Sequence, residues 1–120
     1  MITESRIQQD IVMWFRNAYC TKLHSPQCKI FSVPNERSNV KEQMRMIATG
    51  LEKGVSDLIV IIPNKVLFVE VKTESGKQQK EQVFFQMAVE KLGLQYILVR
   101  SLEDFKNVIN QQAHERHGAG

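Results

Sequence analysis

The chain has 120 residues, room for one domain with a single hydrophobic core and too few for two independent ones. Apolar residues make up 42% and charged residues 24%, which argues against a fibrous architecture and wholesale disorder and fits an ordinary globular domain. The formal charge of +3 favours a polyanionic partner over an acidic surface, but only mildly.

The N-terminus Met1-Ile2-Thr3-Glu4 lacks a basic segment leading into an apolar one, and the longest apolar run, Leu58 to Ile62, is too short to cross a bilayer. No membrane partner is expected. Only two cysteines occur, Cys20 and Cys28, too few for a disulfide framework and suited to a reducing compartment, so the chain reads as cytoplasmic. With His24 between them they offer three zinc ligands, yet Pro26 interrupts the run and no fourth ligand lies nearby, so ordinary thiols on a loop are expected.

In chain order, Thr3 is placed to cap a helix over about residues 4–21, with Ile7, Ile11, Trp14 or Phe15, and Ala18 recurring at helical spacing. Thr21 to Gln27 reads as a loop, and Lys29 to Val33 as a short strand stopped by Pro34-Asn35. Glu36 to Gly54 is polar and mildly basic, a mobile connection containing a short weak helix around Met44, Met46, Ile47 and Leu51. Residues 57–62 and 66–72 are β-branched runs flanking Pro63-Asn64-Lys65, the pattern of a tight hairpin, and their near-continuous apolarity predicts cover on both faces. Gln78 to Leu92 is an amphipathic helix with Val83, Phe84, Met87, Ala88 and Leu92 on one side, ended by Gly93. Tyr96 to Val99 is another strand. Ser101 caps a last helix through about Gln112, with Leu102, Phe105, Val108 and Ile109 facing inward and a frayed tail from Ala113. The order predicts an α/β fold, a mixed sheet with helices on both faces.

Charges interrupt two strands that otherwise read as buried: Asp57 opens one, and Glu70 and Lys72 end the other. Glu70 and Lys72 share a face, because residues two apart in a strand point the same way. A two-residue turn at Pro63-Asn64 puts Asp57 opposite Glu70, whereas a three-residue loop shifts the pairing by one position. Adjacent carboxylates repel unless a divalent cation or the Lys72 ammonium compensates them, so Glu70→Gln is expected to raise stability or hardly change it. Oxygen ligands without supporting cysteine or histidine favour magnesium, with manganese able to substitute, and no small-molecule cofactor is expected. A lysine beside such a site can orient or help deprotonate water and counter charge on a phosphorane-like transition state. A structural salt-bridge cluster is the plainer reading of the same three residues.

Gly54-Val55-Ser56-Asp57, then Val69-Glu70-Val71-Lys72, then Gly76 and Gln82, resemble the motif of PD-(D/E)xK nucleases and specifically of the VRR-NUC family. Val33 to Arg37 resembles a segment of its phage and bacterial members, and Leu92-Gly93 with Tyr96 suits their closing helix and strand. Ser56 stands where the family name expects proline. The resemblance implies a restriction-endonuclease-like fold with a central mixed sheet and, residue by residue, Asp57 and Glu70 as metal ligands. It further implies the Val71 carbonyl as a ligand, Lys72 as the residue that positions or activates water, and Gln82 lining the site. Glu4 fits the family's acidic residue in the first helix, and equally a carboxylate favouring a helix N-terminus. Lys41, Arg45, Lys53, Lys77 and Lys80 are candidate phosphate contacts or ordinary surface charges. His114 and His117 read as solvated.

The function implied is magnesium-dependent hydrolysis of DNA, by a homodimer acting on branched substrates such as four-way (Holliday) junctions or flaps met in repair and recombination. The rivals are a DNA-binding module without catalysis, and an unrelated α/β interaction protein in which Asp57, Glu70 and Lys72 form a salt bridge.

Overall fold

The computed structural model describes residues 2–34 and 40–118. Helix α1 spans Glu4–Tyr19, and the Thr3 hydroxyl accepts the Arg6 amide at 3.1 Å, the cap that the sequence predicts. It buries Ile7, Ile11 and Phe15. It ends earlier than expected, because the Thr21 amide bonds His24 Nδ1 at 3.1 Å instead of a helical carbonyl. The Cys28 amide then returns to the Tyr19 carbonyl at 3.0 Å.

Strand β1 (Lys29–Ser32), helix α2 (Val40–Ala48), β2 (Leu58–Ile62), β3 (Lys65–Val71), α3 (Lys80–Lys91), β4 (Gln95–Val99) and α4 (Leu102–Gly118) follow. The sheet order is β1-β2-β3-β4. The first two pairings are antiparallel, and β3 pairs with β4 in parallel across the α3 connection. Ile62 faces Lys65, so the hairpin turns on Pro63-Asn64 alone, with Asn64 at φ 63°, a conformation asparagine tolerates.

One face of the sheet is fully covered. Ile30, Leu58, Val60, Leu67, Val69, Val71 and Val99 pack with Ile7, Ile11 and Phe15 of α1 and Phe105 and Ile109 of α4. Trp14 stands edge-on to Phe105 at 6.0 Å and is half-buried between those helices. The opposite face, which carries Glu70 and Lys72, is covered by α3 only in part. Phe85 stands edge-on to Phe68 at 5.7 Å and to Tyr96 at 6.1 Å, while Phe31 and Ile61 stay 45% and 38% exposed.

Two expectations need correction. The apolar side of α3 points outward: Val83, Phe84, Met87 and Leu92 are exposed, and the sheet-facing side is Phe85, Gln86 and Val89. The rotation follows from polar bonds, since Gln86 is held by Gln78 at 2.8 Å. The last helix continues to Gly118 instead of fraying after Gln112. Gln112 is buried and exchanges side-chain amide bonds with Gln95 of β4, while also accepting Lys65 Nζ at 2.8 Å. The side chains of His114 and His117, and residues Asn35 to Arg37 of the upstream motif, lie outside the described residues. No helix among the described residues is long and apolar enough to cross a membrane.

Candidate active site

Leu58 pairs with Val69, and the antiparallel register carries Asp57 beside Glu70 at the end of the hairpin. Asp57 Oδ2 accepts the Val71 amide at 2.7 Å, and its backbone carbonyl accepts the Val33 amide at 3.0 Å, so the residue fastens β3 and the end of β1 together. Burial raises the Asp57 pKa. The Val71 amide opposes that, the charges of Glu4 and Glu70 push it further up, and Lys72 pulls it down. Glu4 stands exposed in the first turn of α1, and among the described residues it forms no metal-holding group with Asp57 and Glu70. Ser56, in the place of the family's proline, is buried with its hydroxyl donating to the Leu58 carbonyl at 3.2 Å, which fixes the backbone entering Asp57.

Glu70 has no exposed surface. Its Oε1 accepts Gln78 Nε2 at 2.9 Å and the Tyr96 hydroxyl. Its Oε2 is buried without a hydrogen-bond partner, with the ammonium of Lys72, itself buried, at ion-pair distance, 3.5 Å. Burial and the Glu70 carboxylate push the Tyr96 phenol well above its usual range, which keeps it a donor.

The loop from Thr73 to Gln78 is stapled by Arg100, at the end of β4. Arg100 Nη1 donates to the carbonyls of Thr73, Glu74 and Gly76 at 2.7, 3.1 and 2.8 Å. The segment leading to Asp57 is braced from the other side: Gly54, at φ +85°, leaves no room for a Cβ, which would lie 2.2 Å from the Glu81 carbonyl oxygen of α3.

Gln82 sits differently from its expected place. Its Oε1 accepts the Gln79 amide at 2.7 Å in a capping box at the start of α3, and Gln78 is the glutamine that meets Glu70. Tyr96 and Arg100 were not anticipated from the sequence. The available signal was a hydroxyl on an otherwise apolar strand and a guanidinium at its end. Lys41, Arg45, Lys53, Lys77 and Lys80 are all exposed. Lys53 and Lys80 adjoin the contact between Gly54 and Glu81, whereas Lys41 and Arg45 belong to α2, a helix that buries none of its residues.

Among the described residues no group of three or more His, Cys, Asp or Glu side chains is placed to hold a metal, and His24 Nδ1 is engaged by Thr21 at 2.7 Å. A zinc site of several protein ligands does not fit. Two carboxylates, one with a buried oxygen that accepts no hydrogen bond, do fit magnesium, which binds through one or two carboxylates and keeps several waters. A cleft of about 850 Å³ touches this end of the sheet through Thr73 but is not lined by Asp57, Glu70 or Lys72.

A four-stranded mixed sheet flanked by helices, with this carboxylate pair where two strands end, defines a restriction-endonuclease-like α/β domain. The chain belongs to the VRR-NUC family: the family model for the VRR-NUC domain matches residues 2–103, which makes this a nuclease-type, DNA-processing domain. A solved structure described as a VRR_NUC domain protein shares the fold, with a TM-score of 0.73 at 20% sequence identity over 92% of this chain and 88% of that one. No curated protein matches. The unrelated interaction protein falls with the family match.

Proposed function

We propose that the chain is a magnesium-dependent endonuclease that hydrolyses DNA phosphodiester bonds at Asp57, Glu70 and Lys72. The observation that carries this reading is Glu70 Oε2, a carboxylate oxygen buried without a hydrogen bond beside a second carboxylate, with the Lys72 ammonium at ion-pair distance. Leaving such an atom without a hydrogen bond, with the Lys72 ammonium at 3.5 Å as its counter-charge, is costly in a protein that only folds, and useful in one that binds a cation. Magnesium, or manganese in its place, would be held by Asp57, Glu70 and the Val71 carbonyl, and when bound supplies Lewis-acid polarisation of the phosphate.

The chain's own residues do the rest. The Lys72 ammonium, held at 3.5 Å by Glu70, orients the attacking water and offsets charge growing on the phosphate oxygens. Gln82 fixes the start of α3, on which Lys80 stands. Lys53, Lys77 and Lys80, all exposed, meet the DNA backbone.

The preferred substrates are branched, and the working unit is a homodimer whose two-fold axis presents a matched pair of sites. The exposed apolar row of α3 supports that assembly. The setting is the cytoplasm, in keeping with a chain of only two cysteines, too few for a disulfide framework.

Incubating the protein with end-labelled linear duplex, flap, splayed and four-way substrates tests this. Cleavage is expected only with magnesium or manganese, and faster on branched DNA. Equal cleavage in chelator overturns the metal dependence, equal rates on linear duplex overturn the branch preference, and DNA binding without cleavage favours the non-catalytic module.

A further inference from the structure

A carboxylate offers two oxygens, and at this site the protein has already taken one from each ligand. Asp57 Oδ2 is occupied by the Val71 amide at 2.7 Å. Glu70 Oε1 is occupied twice, by Gln78 Nε2 at 2.9 Å and by the Tyr96 hydroxyl, while Oε2 accepts no hydrogen bond at all.

Neither donor of Glu70 is placed by chance packing. Tyr96 is 7% exposed on an apolar strand, where phenylalanine would fill the same space without a hydroxyl to satisfy. The carboxamide of Gln78 is turned by a second bond: its Nε2 also donates to Gln86 Oε1 at 2.8 Å, and Gln86 Nε2 donates to Glu90 at 3.2 Å. Reversing the Gln78 amide would set two oxygens against each other at both contacts. Such outer partners orient a metal ligand and decide which atom it presents.

We infer that Tyr96 and Gln78 are positioning residues that hold Oε1 of Glu70 and leave Oε2 as its single metal-facing atom, so that the site selects magnesium and manganese over calcium. The inference rests on the metal-nuclease reading above. Calcium takes six to eight oxygens and accepts both oxygens of one carboxylate, whereas magnesium demands a near-octahedral shell in which single-oxygen ligands fit. With Oε1 released, Glu70 can turn both oxygens to the ion, and the preference shifts toward calcium.

The test reads ion preference without DNA, from the rise in melting temperature of the full chain with increasing MgCl2 or CaCl2. Wild type is expected to favour magnesium, and Tyr96→Phe and Gln78→Leu each to lower the magnesium-to-calcium affinity ratio about ten-fold. Val89→Ala trims the buried side of α3 without touching Glu70, and is expected to lower the melting temperature while keeping the ratio. A ratio within about two-fold of wild type in Tyr96→Phe overturns the inference. If that variant does not melt cooperatively, Gln78→Leu, at a half-buried loop position, decides by the same criterion. A wild type that neither ion stabilises overturns the metal reading and the inference with it, whereas a stabilised wild type with unmoved variants overturns the inference alone.

Discussion

Glu70 and Lys72 are charges held out of water, and removing one partner exposes what the other costs. Glu70→Gln keeps an acceptor for Tyr96 but strands the buried Lys72 ammonium. We expect a loss of about 3 kcal/mol, because the burial of Lys72 reverses the sign anticipated from carboxylate repulsion alone. Magnesium-dependent cleavage should fall by roughly three decades or more. Melting and cleavage measured on one purified sample check both, and a destabilised variant with full activity would overturn the site. Asp57→Asn carries the opposite sign. The folded-state pKa of Asp57 lies above its ordinary 3.8, so the folded chain binds that proton more tightly than the unfolded one. Its contribution is therefore largest at low pH and is lost as pH rises from 3.8 through the raised value. In chelator at neutral pH, Asp57→Asn is expected to melt at the same temperature or higher, since asparagine still accepts the Val71 amide, while cleavage disappears. A clearly lower melting temperature in chelator contradicts this.

Elements meet at the site through backbone as well as side chains. Gly54 and Gly50 both have positive φ, but a Cβ at Gly54 would strike the Glu81 carbonyl oxygen at 2.2 Å, whereas nothing lies within 4 Å of one at Gly50. Gly50→Ala thus costs backbone strain of about 1–3 kcal/mol and should leave cleavage intact. Gly54→Ala must also displace the first turn of α3, and with it the approach of Gln78 to Glu70. Its cleavage rate should fall at least about ten-fold at a temperature where the chain is folded. Circular dichroism melts paired with cleavage assays separate the two glycines, and equal activity would deny that this contact positions the site. The rotation of α3 has the same origin: polar bonds from Gln78, Gln82 and Gln86 outrank its apolar row in choosing which side faces the sheet.

At the scale of the molecule, that choice leaves Val83, Phe84 and Met87 exposed on one helix, while Trp14 is packed against Phe105. An apolar row facing water is the surface a two-fold partner would cover. Light scattering at assay concentration is expected to give a dimer mass for wild type and a monomer mass for Phe84→Glu with Met87→Glu. A monomeric, fully active wild type sinks the dimer.

The sequence by itself determined that Asp57, Glu70 and Lys72 stand at neighbouring strand ends. Period-two spacing put Glu70 and Lys72 on one face, because local strand geometry leaves little freedom there, whereas the choice between a two-residue turn and a three-residue loop was made only by the pairing of Ile62 with Lys65, which sets Asp57 beside Glu70. It also determined the inner faces of α1 and α4, whose helical spacing of apolar residues had only one sheet face to pack on. The side of α3 turned to the sheet, the partners of Glu70 and the brace of Arg100 were decided by tertiary structure alone. Tyr96 and Arg100 come 26 and 24 residues after the groups they bond, Glu70 Oε1 and the Gly76 carbonyl, and meet them only once β4 lies parallel to β3. No local period encodes such a meeting, since it depends on which strands become neighbours.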